Sequence, residues 1–474
     1  MRRAAALALA LAGLVPAACS SKSGGGGPHY TDPDDLISSI KESPSCALGC
    51  ASGAPCDEAT KPWTCPALAD YASLPHDASC PAYDGTLPAP VTGACVATAP
   101  AGDALAKTSF TGTPVILPDG RRLAPAGIEW VFDEADVDGG FPTTSALVPG
   151  TKWLVVIDAG YGTHAVRAVD TSVLGGGATN PVASYLRYPI PKAINYGIAV
   201  APSTNTIYVA GGTPDSKVYA FDLDPATGKL TENATRGIAL PAETIGQGVD
   251  VSPDGKTLLV GSGKDSHVLV FSLDPATYGK ELGSIDVVSS DIFTVRFDPN
   301  DPTGGTAYAT SWIGAVDLSK PNVMRLSQLD VVNKKAHVIP VGKSPEEIVF
   351  LDARFAVVAN ALSDTLSVVD RPAGKVALEV PVTIDPAVAH GAGPSALAWD
   401  APRKRLYVAL SNVNGVEAFD VDLTGPTLTP AGTFPTAWWP TSVVVDPANG
   451  TLYVTNGKGH GTGPDHQPRG LTDG

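Results

Sequence analysis

The pattern of apolar and polar residues predicts short β-strands joined by tight turns. The clearest stretch, Ala437–Pro464, reads AWWPTSVVVDPANGTLYVTNGKGHGTGP. It divides into two apolar runs, Thr441–Val445 and Thr451–Val454, which are separated by a turn rich in Asp, Pro, Asn and Gly. This arrangement is typical of a β-hairpin followed by a glycine-rich loop. We therefore expect the second run to return antiparallel to the first.

The same hairpin pattern recurs about every 50 residues along the chain. The central residues of the successive second runs are Val155, Val209, Val260, Ala309, Val358, Val408 and Val454. Between Gly342 and Asp385, the runs GKSPEEIVF, FAVVAN, TLSVVD and KVALEVPV predict four consecutive strands. Units of this length and strand number are the blades of a propeller, whereas sandwiches lack so regular a repeat. The sequence thus predicts an all-β fold, a seven-bladed β-propeller over residues 105–474.

The N-terminus has the features of an export signal. Two arginines and the apolar run Ala4–Val15 precede small residues and Cys19. This predicts a signal peptide over residues 1–18. The Ala17-Ala18-Cys19 junction resembles a bacterial lipobox, which implies acylation of Cys19; ordinary signal cleavage is the alternative. We expect a tether over residues 19–45 and a bacterial lipoprotein, either periplasmic or on the outer membrane or cell surface, that contacts the membrane through the lipid anchor only.

A cysteine cluster precedes the repeats, which predicts a small disulfide-rich segment over residues 46–100. An even number of cysteines in an exported segment favours disulfides, and the spacing expected of a zinc motif is missing. The sequence does not select a pairing. The six cysteines are Cys46, Cys50, Cys56, Cys65, Cys80 and Cys95.

The charge of the chain restricts its partners. The formal net charge is -16. Because so acidic a protein repels a polyanion, we expect no nucleic-acid partner.

Several units resemble a known family. LYVTN at Leu452–Asn456 and TLSVVD at Thr365–Asp370 resemble the YVTN or YncE-like seven-bladed propellers. PDGRRLAPAG and GFPTTSALVPGTKWLVVIDAGYG, together with the stretch from Trp438 to Pro464, resemble more narrowly the propeller half of bacterial lipoproteins in which a phosphoesterase domain of the alkaline phosphatase superfamily follows. This resemblance implies a propeller associated with a phosphoesterase.

The last repeat departs from that pattern. The sequence stops before a third strand of the last blade and before a catalytic domain. Either the hairpin predicted over Thr113–Trp130 supplies the missing strands, or the last blade is truncated. An open sheet edge would favour association with other strands, so we expect closure by the N-terminal hairpin.

The connectivity predicts where a ligand would bind. In an antiparallel blade, the start of the first strand and the end of the second lie at the same end, so their loops converge on one face. A ligand pocket combines apolar walls with a few polar groups. We expect a protein or small-molecule ligand on this face, although loops are also polar simply because water surrounds them. The candidate residues are Asp158, Tyr161, His164, Lys264, His267, Trp312, Asn360, Trp438, Trp439, Asn456, Lys458 and His460, with Glu346 and Glu347 in an entering loop.

Candidate catalytic and metal motifs are few. The sequence contains no G-x-S-x-G and no H-E-x-x-H motif, and catalytic residues stay unassigned. Asp133, Glu134, Asp136 and Asp138 crowd four carboxylates into one loop. They suit calcium by residue type, but Ser145 stands where an EF-hand loop has its glutamate. A solvated acidic loop is the favoured interpretation, and no cofactor is predicted.

Two function classes follow. The first is an exported, lipid-anchored propeller that binds or scaffolds without catalysis, associated with a phosphoesterase or forming its non-catalytic N-terminal part. The alternative is a propeller hydrolase, because VYAFDLDPATGKLTEN at Val218–Asn233 resembles the lactonase group of propellers. In that alternative His164 or His267 would act as the base.

Overall fold

The fold is a ring of antiparallel sheets. The computed structural model describes residues 115–116, 122–123, 125–132, 134, 137, 140–160, 162–174, 180–189, 191–212, 214–287, 290–313, 325–383 and 391–459. Cys19, the six cysteines between Cys46 and Cys95, Asp133, Asp136, Asp138, Tyr161 and His460 lie outside these ranges. Within the ranges, no helix has the length and apolar character needed to span a membrane.

Six sheets form complete blades. Blade 1 contains β3 (Pro142–Leu147), β4 (Trp153–Asp158), β5 (His164–Asp170) and β6 (Val182–Tyr188); blade 2 contains β7 (Ile194–Val200), β8 (Thr206–Gly211), β9 (Lys217–Leu223), β10 (Leu230–Glu232) and β11 (Ile238–Ala239); blade 3 contains β12 (Gly246–Val251), β13 (Thr257–Ser262), β14 (His267–Ser272) and β15 (Glu281–Asp286). Blade 4 contains β16 (Ser290–Phe297), β17 (Thr306–Ile313), β18 (Arg325–Asp330) and β19 (Lys335–Pro340); blade 5 contains β20 (Pro345–Phe350), β21 (Phe355–Asn360), β22 (Thr365–Asp370) and β23 (Lys375–Pro381); blade 6 contains β24 (Pro394–Asp400), β25 (Arg405–Leu410), β26 (Gly415–Asp422) and β27 (Thr427–Pro435).

The seventh repeat forms a two-stranded sheet. It consists of β28 (Trp438–Val445) and β29 (Leu452–Gly459). The prediction of seven blades is therefore wrong: the described chain has six complete blades. The repeat period does not reveal the missing outer strands, because the period is measured between second strands. The seventh repeat has a second strand and therefore counts as a full repeat.

The N-terminal hairpin has strands of its own. β1 (Val115–Ile116) pairs with β2 (Arg122–Leu123) in a separate two-stranded sheet. The pairings of the described residues add neither strand to the seventh sheet.

Apolar clusters lie at every junction between neighbouring sheets. The second strands are buried along their length, as in β4 and β21, because each face of a blade packs against a neighbour. This explains why these strands have continuous apolar sequences rather than alternating ones. The outer strands alternate between exposed and partly buried positions, as in β23. The ring is thus held by side-chain packing between sheets, not by strand pairing across them.

Ring closure falls at the junction between the seventh sheet and blade 1. Leu154 and Val156 form a small apolar cluster there with Val444 and Tyr453, and Phe132 from the N-terminal segment packs against it. Hydrogen bonds add to this packing: the Ser145 and Ser442 hydroxyls lie 3.1 Å apart.

The segment formed by residues 125–132 and Glu134 bridges the two blades that flank the seventh sheet. At one end, the Ala126 amide donates to the Pro435 carbonyl of β27 over 2.8 Å. At the other end, Glu134 accepts hydrogen bonds from Arg167 of β5, with Nη2 to Oε2 at 2.9 Å. The segment therefore ties the sixth blade to the first.

Arg167 is the main buried charge of this closure. Its side chain is 1 % exposed, and its Nη1 donates to Asp158 Oδ2 over 2.9 Å. The guanidinium also lies 4.4 Å from the centroid of the Phe132 ring. Two carboxylates compensate one guanidinium inside the protein, so loss of the arginine would leave both of them buried and unpaired.

We expect Arg167→Ala to lower the free energy of unfolding by about 3–5 kcal/mol, because it breaks a buried ion pair on one side. Urea denaturation followed by circular dichroism measures the loss. Arg405→Ala provides the matched control, since Arg405 pairs with Asp420 on the surface and should change stability by about 1 kcal/mol or less. Equal effects of the two variants would contradict a closing role for Arg167.

Candidate functional site

The innermost strands of the seven sheets surround the central channel. The first strands of successive sheets contact one another around the ring, including β7 with β12 and β28 with β3. Pairing of Pro345 with Asn360 places the start of a first strand beside the end of the second. This confirms the predicted convergence of those two ends on one face.

A register shift occurs near the start of every one of these first strands. The shifts lie between the following residue pairs: Pro142 and Thr144, Ile194 and Ile198, Gly246 and Val249, Ile292 and Val295, Pro345 and Ile348, Pro394 and Ala396, and Trp438 and Ser442. A β-bulge bends its strand and redirects a side chain, and bulges are frequent beside functional sites. We call these seven positions the bulge ring. Because they share one end of the channel, the bulge ring defines the channel mouth.

Two glycines let the first strands approach each other at the bulge ring. A Cβ atom at Gly197 would lie 1.7 Å from the Gln247 carbonyl oxygen, and one at Gly248 would lie 2.6 Å from the Val295 nitrogen. Only glycine fits such backbone contacts. The side chains that flank these glycines are therefore brought together across blade boundaries.

An aromatic row lies at the mouth across blades 2 to 4. The rings of Tyr196 and Phe293 stack with their centroids 4.2 Å apart. The Trp312 ring follows, 6.0 Å from Phe293 and tilted by 37°. Trp312 is 37 % exposed, whereas Tyr196 and Phe293 are partly buried. The row therefore presents apolar surface to solvent at the mouth.

Acidic side chains flank the aromatic row. Gln247 links the two groups: its Oε1 accepts from the Tyr196 hydroxyl over 2.8 Å, and its Nε2 donates to Asp291. Trp312 Nε1 donates to Glu346 Oε1 over 2.8 Å. We call the five residues Tyr196, Asp291, Phe293, Trp312 and Glu346 the mouth cluster. They come from three blades, and neighbouring chain segments hold each polar group in place.

A second charged group lies further along the same strands. Arg296 Nη2 donates to Glu347 Oε2 over 3.1 Å, and Asp250 Oδ2 accepts from the Phe297 amide over 2.7 Å. The Arg296 side chain is 29 % exposed. Among the described residues, this arc of blades 2 to 5 carries the acids Asp250, Asp291, Glu346 and Glu347 together with the Arg296 guanidinium.

Burial changes the protonation of two of these acids. Burial raises the pKa of Glu346 to about 8, and the neighbouring Glu347 charge adds to the rise, while the Trp312 hydrogen bond opposes it. Burial also raises the pKa of Asp250 to about 6, against the opposing effects of Arg296 and the Phe297 amide. Glu346 is therefore largely protonated at pH 7, and a positive charge beside it would favour its ionised form.

The opposite arc of the channel carries hydroxyl groups. Ser411 donates to the Pro440 carbonyl over 2.8 Å, and the Ser395 and Ser411 hydroxyls lie 2.6 Å apart. Thr441 donates to the Pro142 carbonyl over 2.7 Å. These hydroxyl groups therefore link the first strands β24, β28 and β3 through hydrogen bonds to backbone carbonyls.

The predicted tryptophan pair lies at the start of β28. Lys458 Nζ lies 4.8 Å from the Trp438 ring centroid and 4.4 Å from that of Trp439. Trp439 has φ of 65°, a rare conformation for a large side chain. The Asn414 side chain accepts from the Trp439 amide over 3.0 Å and supports it. Neighbouring strand residues normally face opposite sides, so the bulge lets both rings meet one lysine.

His164 and Asp158 have structural partners. His164 Nδ1 accepts from the Ile194 amide over 3.0 Å, so its Nε2 donates to the Gly160 carbonyl over 2.9 Å. Burial lowers the pKa of His164 despite these hydrogen bonds and the nearby Asp158. Both ring nitrogens are therefore occupied, which disfavours the predicted role as a base. Asp158 belongs to the Arg167 ion pair.

Other predicted residues lie away from the mouth cluster or bond within their own blade. His267 is exposed and pairs with Asp286 on the outer strand β15, with 2.8 Å between Nδ1 and Oδ1. Lys264 pairs with the exposed Glu243. Asn360 donates within blade 5 to Ser367 over 2.9 Å. Asn456 Nδ2 donates locally to the Val454 carbonyl over 3.4 Å.

The candidate calcium loop has one described acid. Glu134 binds Arg167, and its three partners lie outside the described ranges. Calcium binding there stays a prediction. Among described residues, no group of three or more His, Cys, Asp or Glu side chains is arranged to hold a metal ion.

Sequence reasoning named part of the mouth cluster. It selected Trp312 and Glu346 separately, and the structure joins them by a hydrogen bond. It missed Tyr196, Asp291 and Phe293. An alignment of the first strands, rather than the second, would have shown polar or aromatic residues interrupting apolar runs at these positions.

Comparison with known proteins shows the fold. No family model and no curated protein matches the chain. A chain of hydrazine synthase from Kuenenia stuttgartiensis is similar in structure, with a TM-score of 0.53 and 17 % identity, over 70 % of this chain and 96 % of that one. U3-55K is similar with a TM-score of 0.50 and 9 % identity, over 68 % of this chain and 90 % of that one. Both are propellers, and at these identities the likeness establishes a β-propeller fold alone.

We expect Glu346→Gln to change how stability depends on pH. Between the ordinary glutamate value and about 8, the folded protein holds a proton that the unfolded chain has lost, so wild-type stability falls as pH rises. Glu346→Gln removes this pH dependence. Its free energy of unfolding should therefore rise by about 1–3 kcal/mol relative to wild type between pH 5 and pH 9. Urea midpoints across this range measure it, with the exposed Glu281→Gln as control. If the difference in free energy of unfolding between Glu346→Gln and wild type were the same at all pH values, burial of the acid would be contradicted.

We expect the His164 imidazole to titrate below the ordinary histidine pKa in the folded protein, with the proton of its neutral form on Nε2. Its lowered pKa and the Ile194 amide donor both favour this form. Nitrogen-15 NMR of the imidazole reports tautomer and charge, and His164→Asn assigns the signal. A signal that titrates at the ordinary histidine value would refute the arrangement.

Proposed function

We propose that this protein is a non-catalytic binding protein whose ligand occupies the channel mouth. The single observation that carries the proposal is the bulge ring, because Tyr196, Phe293 and Glu346 all lie within its register shifts. Binding sites combine apolar or aromatic walls with a few placed polar groups. The mouth cluster has this composition, with three aromatic rings beside two carboxyl groups.

The hydrogen bonds of the mouth favour binding over hydrolysis. Asp291 accepts from Gln247, and Glu346 accepts from Trp312. A general base must reach the proton that it removes, and the two histidines predicted for that role are engaged elsewhere. The lactonase alternative therefore gains no support from the described geometry. The acids are better suited to orienting a ligand than to activating water.

We further propose that the propeller works outside the cytoplasm. The signal-like residues 1–18, the lipobox-like junction at Cys19 and the six cysteines from Cys46 to Cys95 support export, lipid anchoring and a disulfide-linked segment. The resemblance of LYVTN and TLSVVD to YVTN propellers supports that family. The resemblance of the terminal repeats supports association with a phosphoesterase. Under this proposal the propeller presents a ligand or a protein partner to that enzyme, without nucleic acid.

A fragment screen tests binding at the mouth. Ligand-observed NMR with a library of small soluble compounds should find fragments that bind the full-length protein. Phe293→Leu keeps the apolar volume but removes the stacked ring, and we expect it to weaken these fragments at least fivefold. Phe434→Leu, at an exposed phenylalanine of β27, should leave them unchanged.

Two results would contradict the proposal. One is a screen in which no fragment distinguishes Phe293→Leu from Phe434→Leu. The other is turnover of a lactone or a phosphodiester that Asp291→Asn abolishes, because the mouth would then be catalytic.

A further inference from the structure

The backbone conformation of Trp439 is unusual for so large a side chain. Its φ of 65° lies in the left-handed region, where a Cβ atom crowds the backbone and only glycine, asparagine and aspartate are frequent. From this conformation we infer that the Trp439 ring is a ligand contact, and that together with Trp438 it binds a neutral sugar ring. The inference goes beyond the proposed function, because it concerns the seventh sheet and uses no residue of the mouth cluster.

The same backbone position carries smaller side chains in the three preceding blades. Asp291, Ser344 and Gly393 have φ of 57°, 54° and 64°. Each of them, like Trp439, directly precedes a residue at which a register shift of the first strand begins. The bend therefore requires a left-handed residue, which glycine supplies without a steric penalty. A bulky ring at this position is strained, and such strain is concentrated at functional sites.

Hydrogen bonds hold the Trp439 backbone in this conformation. The Asn414 side chain accepts from the Trp439 amide over 3.0 Å, and the Asn414 carbonyl accepts from the Thr436 amide over 2.9 Å. Asn414 is 7 % exposed and has φ of 59°, so the turn that contains it is itself fixed. This brace acts on the backbone of Trp439 and leaves its ring partly exposed.

The two tryptophans form an aromatic surface beside one ammonium group. Both rings are partly exposed, and Lys458 Nζ lies 4.8 Å from the Trp438 centroid and 4.4 Å from the Trp439 centroid. The electron-rich ring faces attract the weakly positive C–H groups on the flat face of a sugar. An ammonium group has three donors, so Lys458 can donate to a sugar hydroxyl while it keeps its other contacts.

Charge favours a neutral ligand at this surface. The Lys458 ammonium repels an organic cation that approaches the same rings. The formal net charge of -16 disfavours the approach of an anion. A ring compound that carries hydroxyl groups and no charge meets neither penalty.

Saturation-transfer NMR with neutral trisaccharides of glucose, galactose, mannose and xylose tests the site on the full-length protein. At least one of them should bind with a Kd of about 10 mM or tighter. Trp439→Ala should weaken this binding at least tenfold, and Trp438→Ala at least fivefold. Phe293→Leu, in the mouth cluster, should change it less than twofold.

A pair of substitutions tests the backbone strain separately. Trp439→Gly and Trp439→Ala both remove the ring, but only glycine relieves the left-handed backbone, so the urea midpoint of Trp439→Gly should be the higher one. Lys404 is the matched control, because it lies in an exposed turn of blade 6 with φ of 51°. Lys404→Gly should likewise exceed Lys404→Ala in urea midpoint, and neither should change sugar binding more than twofold.

The outcomes separate this inference from the proposed function. It is overturned if no trisaccharide binds at roughly 20 mM, if binding survives Trp439→Ala, or if glucuronate or glucosamine binds more tightly than glucose. Equal urea midpoints for Trp439→Gly and Trp439→Ala would remove the strain on which it rests. Sugar binding that is lost in Phe293→Leu instead would overturn this inference and support the proposed function. Circular dichroism melting curves verify that each variant is folded.

Discussion

The structure depends on packing between neighbouring sheets. Each blade has both faces buried, so no blade is stable alone and the ring must close to bury its last apolar surfaces. At the closing junction the seventh sheet has two strands, and the apolar cluster of Leu154 and Val156 is small. The buried ion pairs of Arg167, and the bridging segment of residues 125–132 and Glu134, supplement it. Ring closure therefore combines side-chain packing with a charge network.

The bulge ring connects this architecture to function. A regular first strand would place alternate side chains into the blade interfaces, where apolar residues are required. The register shifts release a few positions from that requirement. Gly197 and Gly248 allow neighbouring strands to approach closely at these positions. Aromatic and acidic side chains from different blades therefore contact one another there.

The sequence predicts the repeats well because continuous burial leaves a strong signal. Val155, Val358 and Val408 mark fully buried second strands, and the hairpin turns have typical Asp, Pro, Asn and Gly residues. The number of complete blades was mispredicted, because β28 and β29 carry the same signal without outer strands. The number of strands in a blade depends on which strands pair in the folded protein. The repeat period of the sequence does not contain that information.

The site was less predictable because its positions depend on register and on partners distant in sequence. Glu346 and Trp312 were selected as separate loop residues, although 34 positions separate them. Nothing local in the sequence marks Phe293 as the neighbour of Tyr196. Conversely, His164 looked like a free base, and only the structure shows backbone groups at both of its nitrogens.

The central claim is that the mouth cluster belongs to a binding site, and the position of a bound molecule can be observed directly. A crystal structure of the full-length protein, soaked with the small soluble fragments that bind it in ligand-observed NMR, locates those fragments in the electron density. The account predicts density for a fragment against the rings of Phe293 and Trp312. Density only on the outer strands, or none at the mouth at saturating concentration, would contradict it.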